Sequence, residues 1–205
     1  MPFRPISIRK AMESVAVADW VLPKTQRQYA WGFRDNAKRA VIRLFDSLYR
    51  SYPIGAFLLW ETQEEIPFRE FQKNFDPEAD PPGTADPTQW KRRKWLVYDG
   101  QQRLQTLYSC LLYSFADQVL RFNLFFDQNN VEDGLYGFHF ADTAIAIPPS
   151  EITLCSLYDE FRIQGEPGKT NYRRRKLDEM RGNRRQRESA PTGGVQHRPP
   201  LGSLQ

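Results

Sequence analysis

The run Trp95-Leu96-Val97-Tyr98-Asp99-Gly100-Gln101-Gln102-Arg103 holds the residues best suited to chemistry. A short apolar, β-rich segment reaches Asp-Gly. Leu104, Leu107, Tyr108, Leu111 and Leu112 then recur at helical spacing. The order reads as a strand, a tight turn and a helix N-terminus. Glycine lets the backbone turn closely, and the first N–H groups of a helix have no partner inside it. Such an end draws anions, phosphate above all. Arg103 adds a fork of donors matched to phosphate. Asp99, at the strand end, is placed to hold a metal ion or to orient a water. The same residues also suit an ordinary strand–helix turn with Asp99 as N-cap.

A second polar cluster stands near the N-terminus, in Leu22-Pro23-Lys24-Thr25-Gln26-Arg27-Gln28-Tyr29-Ala30-Trp31. Gln26 and Arg27 have no core role, and Arg27 suits a phosphate. Tyr29 offers a ring for base stacking, whereas Trp31 reads as a core residue. Gly165-Glu166-Pro167-Gly168-Lys169-Thr170 ends like a P-loop but fails as one. Its first glycine would fall at Ile163, Pro167 removes a cradle N–H, and no apolar strand precedes it. His139 and His197 are isolated, and paired-cysteine and Gly-x-Ser-x-Gly motifs are absent, so the chain carries no nuclease motif of its own.

Three separated motifs occur in order: Pro-x-x-Gln-Arg-x-Tyr-x-Trp from Pro23, Pro-Ile-Gly-x-x-Leu-Leu from Pro53, and Asp-Gly-Gln-Gln-Arg-Leu-x-Thr-Leu from Asp99. Over roughly residues 5–160 the chain resembles the N-terminal domain family of the GmrSD-type modification-dependent restriction endonucleases. It departs from that pattern at Lys24-Thr25 and at Gln105, where the family usually has Thr. The resemblance implies an α/β (α+β) domain of ParB/sulfiredoxin-like fold, with a small mixed sheet flanked by helices. It further implies nucleoside triphosphate binding and hydrolysis with Mg²⁺, in defence against foreign DNA such as phage. In that reading Asp99, Arg103, Gln26 and Arg27 are catalytic and Asp99 holds the metal. Gly100, Gln101, Gln102, Arg103, Arg27 and Tyr29 bind the nucleotide. DNA is the expected further partner, met directly or through a nuclease domain or subunit. A non-catalytic DNA-recognition module and an inactive truncated remnant are the alternative readings.

Several elements must position these residues. A short helix is expected over 6–16, with Ile8, Met12 and Val15 on one face, and a strand at Trp20-Val21-Leu22. Ala37, Val41, Leu44, Phe45 and Leu48 predict a helix from about Asp35 to Arg50, leaving Lys38, Arg39, Arg43 and Asp46 outside. Phe57-Leu58-Leu59-Trp60 reads as a buried strand. The helix after Gly100 is expected to run from Gln101 to about Val119. Strands follow at 121–126 and 135–140 with a turn at 129–134, then a short helix from Leu154 to Phe161. Residues 62–92 carry Pro77, Pro81, Pro82, Pro87 and Gly83 and many acids, and run into a cluster Lys91-Arg92-Arg93-Lys94. They read as a flexible insertion within a domain of residues 1–164.

Charge is distributed unevenly. Residues 165–205 hold 10 Lys and Arg against 4 acids, and residues 1–164 hold 19 against 21, so the basic character belongs to the tail. The body is therefore not a generally basic nucleic-acid binder, and any such contact must be local. The tail has few apolar residues and is expected to be disordered, its composition suggesting a truncated or frame-disrupted end. No apolar run reaches membrane-spanning length and no signal peptide is present, so a cytoplasmic protein with no membrane partner is expected. Cys110 and Cys155 show no metal-like spacing, and Cys110 fits an apolar helix face.

Overall fold

The computed structural model describes residues 4–25, 31, 34–79, 93–127, 129 and 136–164. Over these residues the chain is a mixed α+β domain with two mixed sheets. Helix α1 (Ile8–Ala16) starts at Ser7, whose hydroxyl accepts from the Lys10 N–H at 3.2 Å, and buries Ala11, Met12 and Val15. Helix α2 (Arg34–Tyr49) buries Ala37, Val41, Leu44 and Phe45, the expected stripe. Asp46 departs from expectation. It is buried, and its carboxylate pairs with Arg50 Nε at 2.9 Å, one helical turn on, so it need not reach water.

The first sheet joins β1 (Trp20–Pro23), β2 (Leu58–Thr62), β3 (Phe68–Arg69) and β5 (Lys94–Asp99) in the order β2-β5-β1-β3. Strand β1 runs parallel to β5 and antiparallel to β3, while β2 is antiparallel to β5. With a neighbour on each side, β1 is buried throughout. Strand β2 is not the buried strand expected. It starts at Leu58, and Leu58 and Trp60 are 51% and 39% exposed. The cause is its place at the sheet edge, paired with β5 alone.

The second sheet comprises β4 (Asn74–Phe75), β6 (Ser114–Phe115), β7 (Gln118–Asn123) and β8 (Phe138–Asp142), with β9 (Glu151–Thr153) also paired to β7. Helix α3 (Gln101–Leu112) lies in sequence between β5 and β6, and α4 (Leu154–Gln164) follows β9. Helix α3 is buried over Gln101 and every residue from Leu104 to Leu111. It ends earlier than the expected Val119. A hairpin replaces its last turns: Phe115 pairs with Gln118, and Ala116 and Asp117 both have positive φ, as a two-residue primed turn requires. Strand β7 therefore begins before position 121. Of the turn expected at 129–134, only Asn129 is described.

Residues 62–79 are not an unanchored insertion. Strand β3 joins the first sheet and β4 the second, and Phe68, Phe71 and Phe75 are buried. The amide of Gln105 grips the backbone of Gln72 from both sides. Gln105 Oε1 accepts from Gln72 N at 3.0 Å, and Gln105 Nε2 donates to Gln72 O at 2.7 Å. A side chain thus imitates a strand partner, which the segment's prolines and acids conceal. Residues 80–92 and the tail at 165–205 lie outside the described residues. Among the described residues no helix is long and apolar enough to cross a membrane.

Gln105→Ala should lower unfolding free energy by about 1–3 kcal/mol, since the Gln72 N–H then loses its acceptor while the Gln72 carbonyl keeps only the Ser109 hydroxyl at 3.2 Å. Urea unfolding of both proteins checks this. An unchanged midpoint would show that the Gln105 pairing does not hold the segment.

Candidate functional site

Strand β5 delivers the chain to the α3 N-terminus through one residue. Gly100 is the N-cap, with φ +85°, and contributes no side-chain cap. A Cβ there would strike the Phe57 ring, so glycine is demanded by conformation and by space. The first intrahelical bond runs from Leu104 N to Gly100 O at 2.9 Å. The N–H groups of Gln101, Gln102 and Arg103 precede it, and no acidic side chain lies in the first turn. Asp99 is not the N-cap. Its side chain is 72% exposed, and Oδ2 lies 3.3 Å from Arg103 Nη2.

Arg103, expected as a phosphate fork, has its guanidinium engaged within the protein. Its side chain is only 19% exposed. Nη1 donates to the carbonyl of Ile54, and Nη2 donates to the carbonyl of Ala56 at 2.9 Å as well as to Asp99. The Phe57 ring lies 5.4 Å from the guanidinium carbon and covers one face. Gly55, between the two carbonyls, has φ +87°, and a Cβ on it would meet Arg103 Nη1. The Pro-Ile-Gly motif is thus the seat of the arginine, a role its apolar character did not suggest.

The structure brings Asp99, Gly100, Gln101, Gln102 and Arg103 together at one junction. Gln101 is buried and Gln102 is half-buried. Gln26, Arg27 and Tyr29 lie outside the described residues. The strands that lead to the two motifs are described, however. Because β1 and β5 are parallel neighbours, Pro23 and Asp99 end on the same sheet edge. Ligands of open α/β sheets bind at such edges, beyond the carboxyl ends of the strands.

Other candidate groups are occupied structurally. Among the described residues no cluster of three or more His, Cys, Asp or Glu could hold a metal ion. His139 is matched to Arg121 across β7 and β8, and its Nε2 lies 3.3 Å from Glu151 Oε1. Arg121 is buried and donates to the carbonyls of Asp142, Ile145 and Ala146, fixing the β8–β9 connection. Cys155 Sγ donates to the carbonyls of Tyr113 at 3.1 Å and Cys110 at 3.4 Å. Burial, with Asp159 adding to it, pushes the Cys155 thiol up to about 11. Burial also holds Cys110 well above its ordinary range. Both thiols stay protonated near neutrality and are poor nucleophiles.

The family model described as the GmrSD restriction endonuclease, N-terminal domain, matches residues 8–189. No curated protein matches the chain.

Two outcomes follow from this geometry. Gly100→Ala should cost at least about 1–2 kcal/mol of stability, read by urea unfolding, because the left-handed backbone disfavours a side chain and the Phe57 ring must also shift. A cost near zero would mean the turn is not held at positive φ. The thiol gives a pH signature. Unfolded, Cys155 ionises near its ordinary 9.0; folded, it keeps its proton to about 11. Above pH 9 the unfolded state binds fewer protons, so stability falls as pH rises through that window and is level below it. Cys155→Ser should remove part of that slope in unfolding curves across alkaline pH.

Proposed function

We propose that this chain, which belongs to the family of the GmrSD restriction endonuclease N-terminal domain, binds a nucleoside triphosphate at the β5–α3 junction and hydrolyses it in the service of DNA restriction. The observation that carries this reading is the α3 N-terminus. It has no side-chain cap, it follows a left-handed glycine, and it stands beside an exposed carboxylate at a sheet edge. Backbone N–H groups aimed out of a helix end, with the macrodipole behind them, suit phosphate oxygens.

The residues present fit the groups this reading requires. Mg²⁺ is commonly held by one or two carboxylates, the remaining positions going to phosphate oxygens and water, so Asp99 suffices as the protein ligand. When bound, the ion supplies charge neutralisation at the phosphates. Gln101 and Gln102 add amide donors next to the first-turn N–H groups. Arg27, following β1, is assigned to charge on the transferring phosphoryl group. Gln26 is assigned to the water or base, and Tyr29 to base stacking. Arg103 serves the same site from its place between Asp99 and the Ile54–Ala56 backbone.

The test is binding and phosphate release by the full chain with Mg²⁺ and, in turn, ATP, CTP, GTP and UTP. One of them should bind and turn over. Asp99→Ala should cut turnover by about 100-fold or more, with the fold intact because the side chain is 72% exposed. Absence of binding and turnover in the wild-type chain would overturn the proposal. If that protein instead held DNA with strong salt dependence, a non-catalytic DNA-recognition module would replace it.

A further inference from the structure

We infer that Arg103 is a positioning residue, acting on the bound nucleotide through Asp99 and the Ile54–Phe57 segment rather than through contact of its own guanidinium with phosphate. The inference rests on the nucleotide reading above and assigns the role of one residue within it. The guanidinium donates to two backbone carbonyls, Ile54 and Ala56, and to the Asp99 carboxylate. Phe57 covers one of its faces, and its side chain is 19% exposed. The segment it holds has no helix or strand of its own between α2 and β2.

Two glycines are shaped around this arrangement. Gly55 and Gly100 both have positive φ, and Cβ atoms on them would meet Arg103 Nη1 and the Phe57 ring respectively. Swinging the guanidinium onto a phosphate would release both carbonyls and Asp99 at once, forfeiting three charge-assisted hydrogen bonds for new ones. The exposed partner in the set is Asp99, and Arg103 sets the direction in which that carboxylate faces the helix end. A planar fork suits this bridging task, whereas a lysine ammonium is a point charge and cannot span the same acceptors in one plane.

The experiment compares the wild-type full chain with Arg103→Lys, Gly55→Ala and the double variant. Each is assayed with Mg²⁺ and whichever of ATP, CTP, GTP or UTP the wild type turns over. Urea unfolding identifies the variants that fold. Gly55→Ala keeps the arginine and is read by itself should Arg103→Lys fail to fold. A positioning role predicts that kcat falls about tenfold or more in each single variant while KM stays within about threefold. The double variant should be little worse than either single one, because both break the same arrangement. Direct phosphate contact predicts the reverse: Arg103→Lys raises KM, and Gly55→Ala either turns over like the wild type or adds fully to it. Either result overturns the positioning role while leaving the nucleotide site standing. A wild-type chain that neither binds nor hydrolyses any of the nucleotides overturns the functional reading itself, before any variant is compared.

Discussion

Helix α3 is buried on nearly every face, and this constraint organises the domain. A helix sunk in a core cannot rely on water to satisfy its ends, so its terminal N–H and C=O groups need partners from the protein or from a ligand. At the C-terminal end the fold supplies them. Tyr113 N–H returns to Ser109 O, and the Cys155 thiol reaches the carbonyls of Cys110 and Tyr113. At the N-terminal end the cap residue is a glycine without a side chain. That asymmetry is what the proposed reading uses, placing the phosphates at the N-terminal end. The burial that stabilises α3 also lowers the local dielectric around that end, which strengthens any hydrogen bond made there.

An arginine in the first turn adds positive charge to an already positive helix end, which is unfavourable unless compensated. Here the compensation is local and directional: two carbonyl dipoles and one carboxylate meet the guanidinium. The consequence reaches beyond α3. The segment before β2 is tied to the helix end, and β2 is hydrogen-bonded to β5, the strand that delivers Asp99. Leu58 stands opposite Asp99, with a register shift between Leu58 and Leu59 at that point. The turn is therefore held from both sides, by β5 along the chain and by the Arg103 seat across it.

Much of this site was legible in the sequence because its signals are local. A β-rich run, Asp-Gly and a heptad-like leucine pattern specify strand, turn and helix within a few residues, and the α2 stripe is equally plain. What escaped the sequence depends on long-range partners. Strands β3 and β4 are two residues each, too short for any period, and exist because neighbouring strands pair with them, while Gln105 holds the link between them at Gln72. The hairpin after α3 turns on Ala116-Asp117 rather than the Asn-Gly or Asp-Gly pair that announces such turns, so the helical pattern reads on past its true end. Phe57-Leu58-Leu59-Trp60 is apolar enough for a core, yet edge position rather than composition decides its exposure. The role of Gly55 is invisible in the sequence, because only the fold places Arg103 against it.

In the proposed reading, affinity at this edge comes from contact rather than from the field of the whole domain. Residues 1–164 hold 21 acids against 19 Lys and Arg, so an approaching polyanion meets no broad attraction from the body. A site of this kind gains its selectivity at short range, where oriented N–H groups and fixed amides act over hydrogen-bond distances and salt screens them little. A compact triphosphate concentrates its charge within reach of one helix end. A duplex spreads its charge along its length and is gripped best by an extended basic surface. A capless helix end beside one exposed carboxylate, on a body of balanced charge, matches the compact ligand better than the extended one.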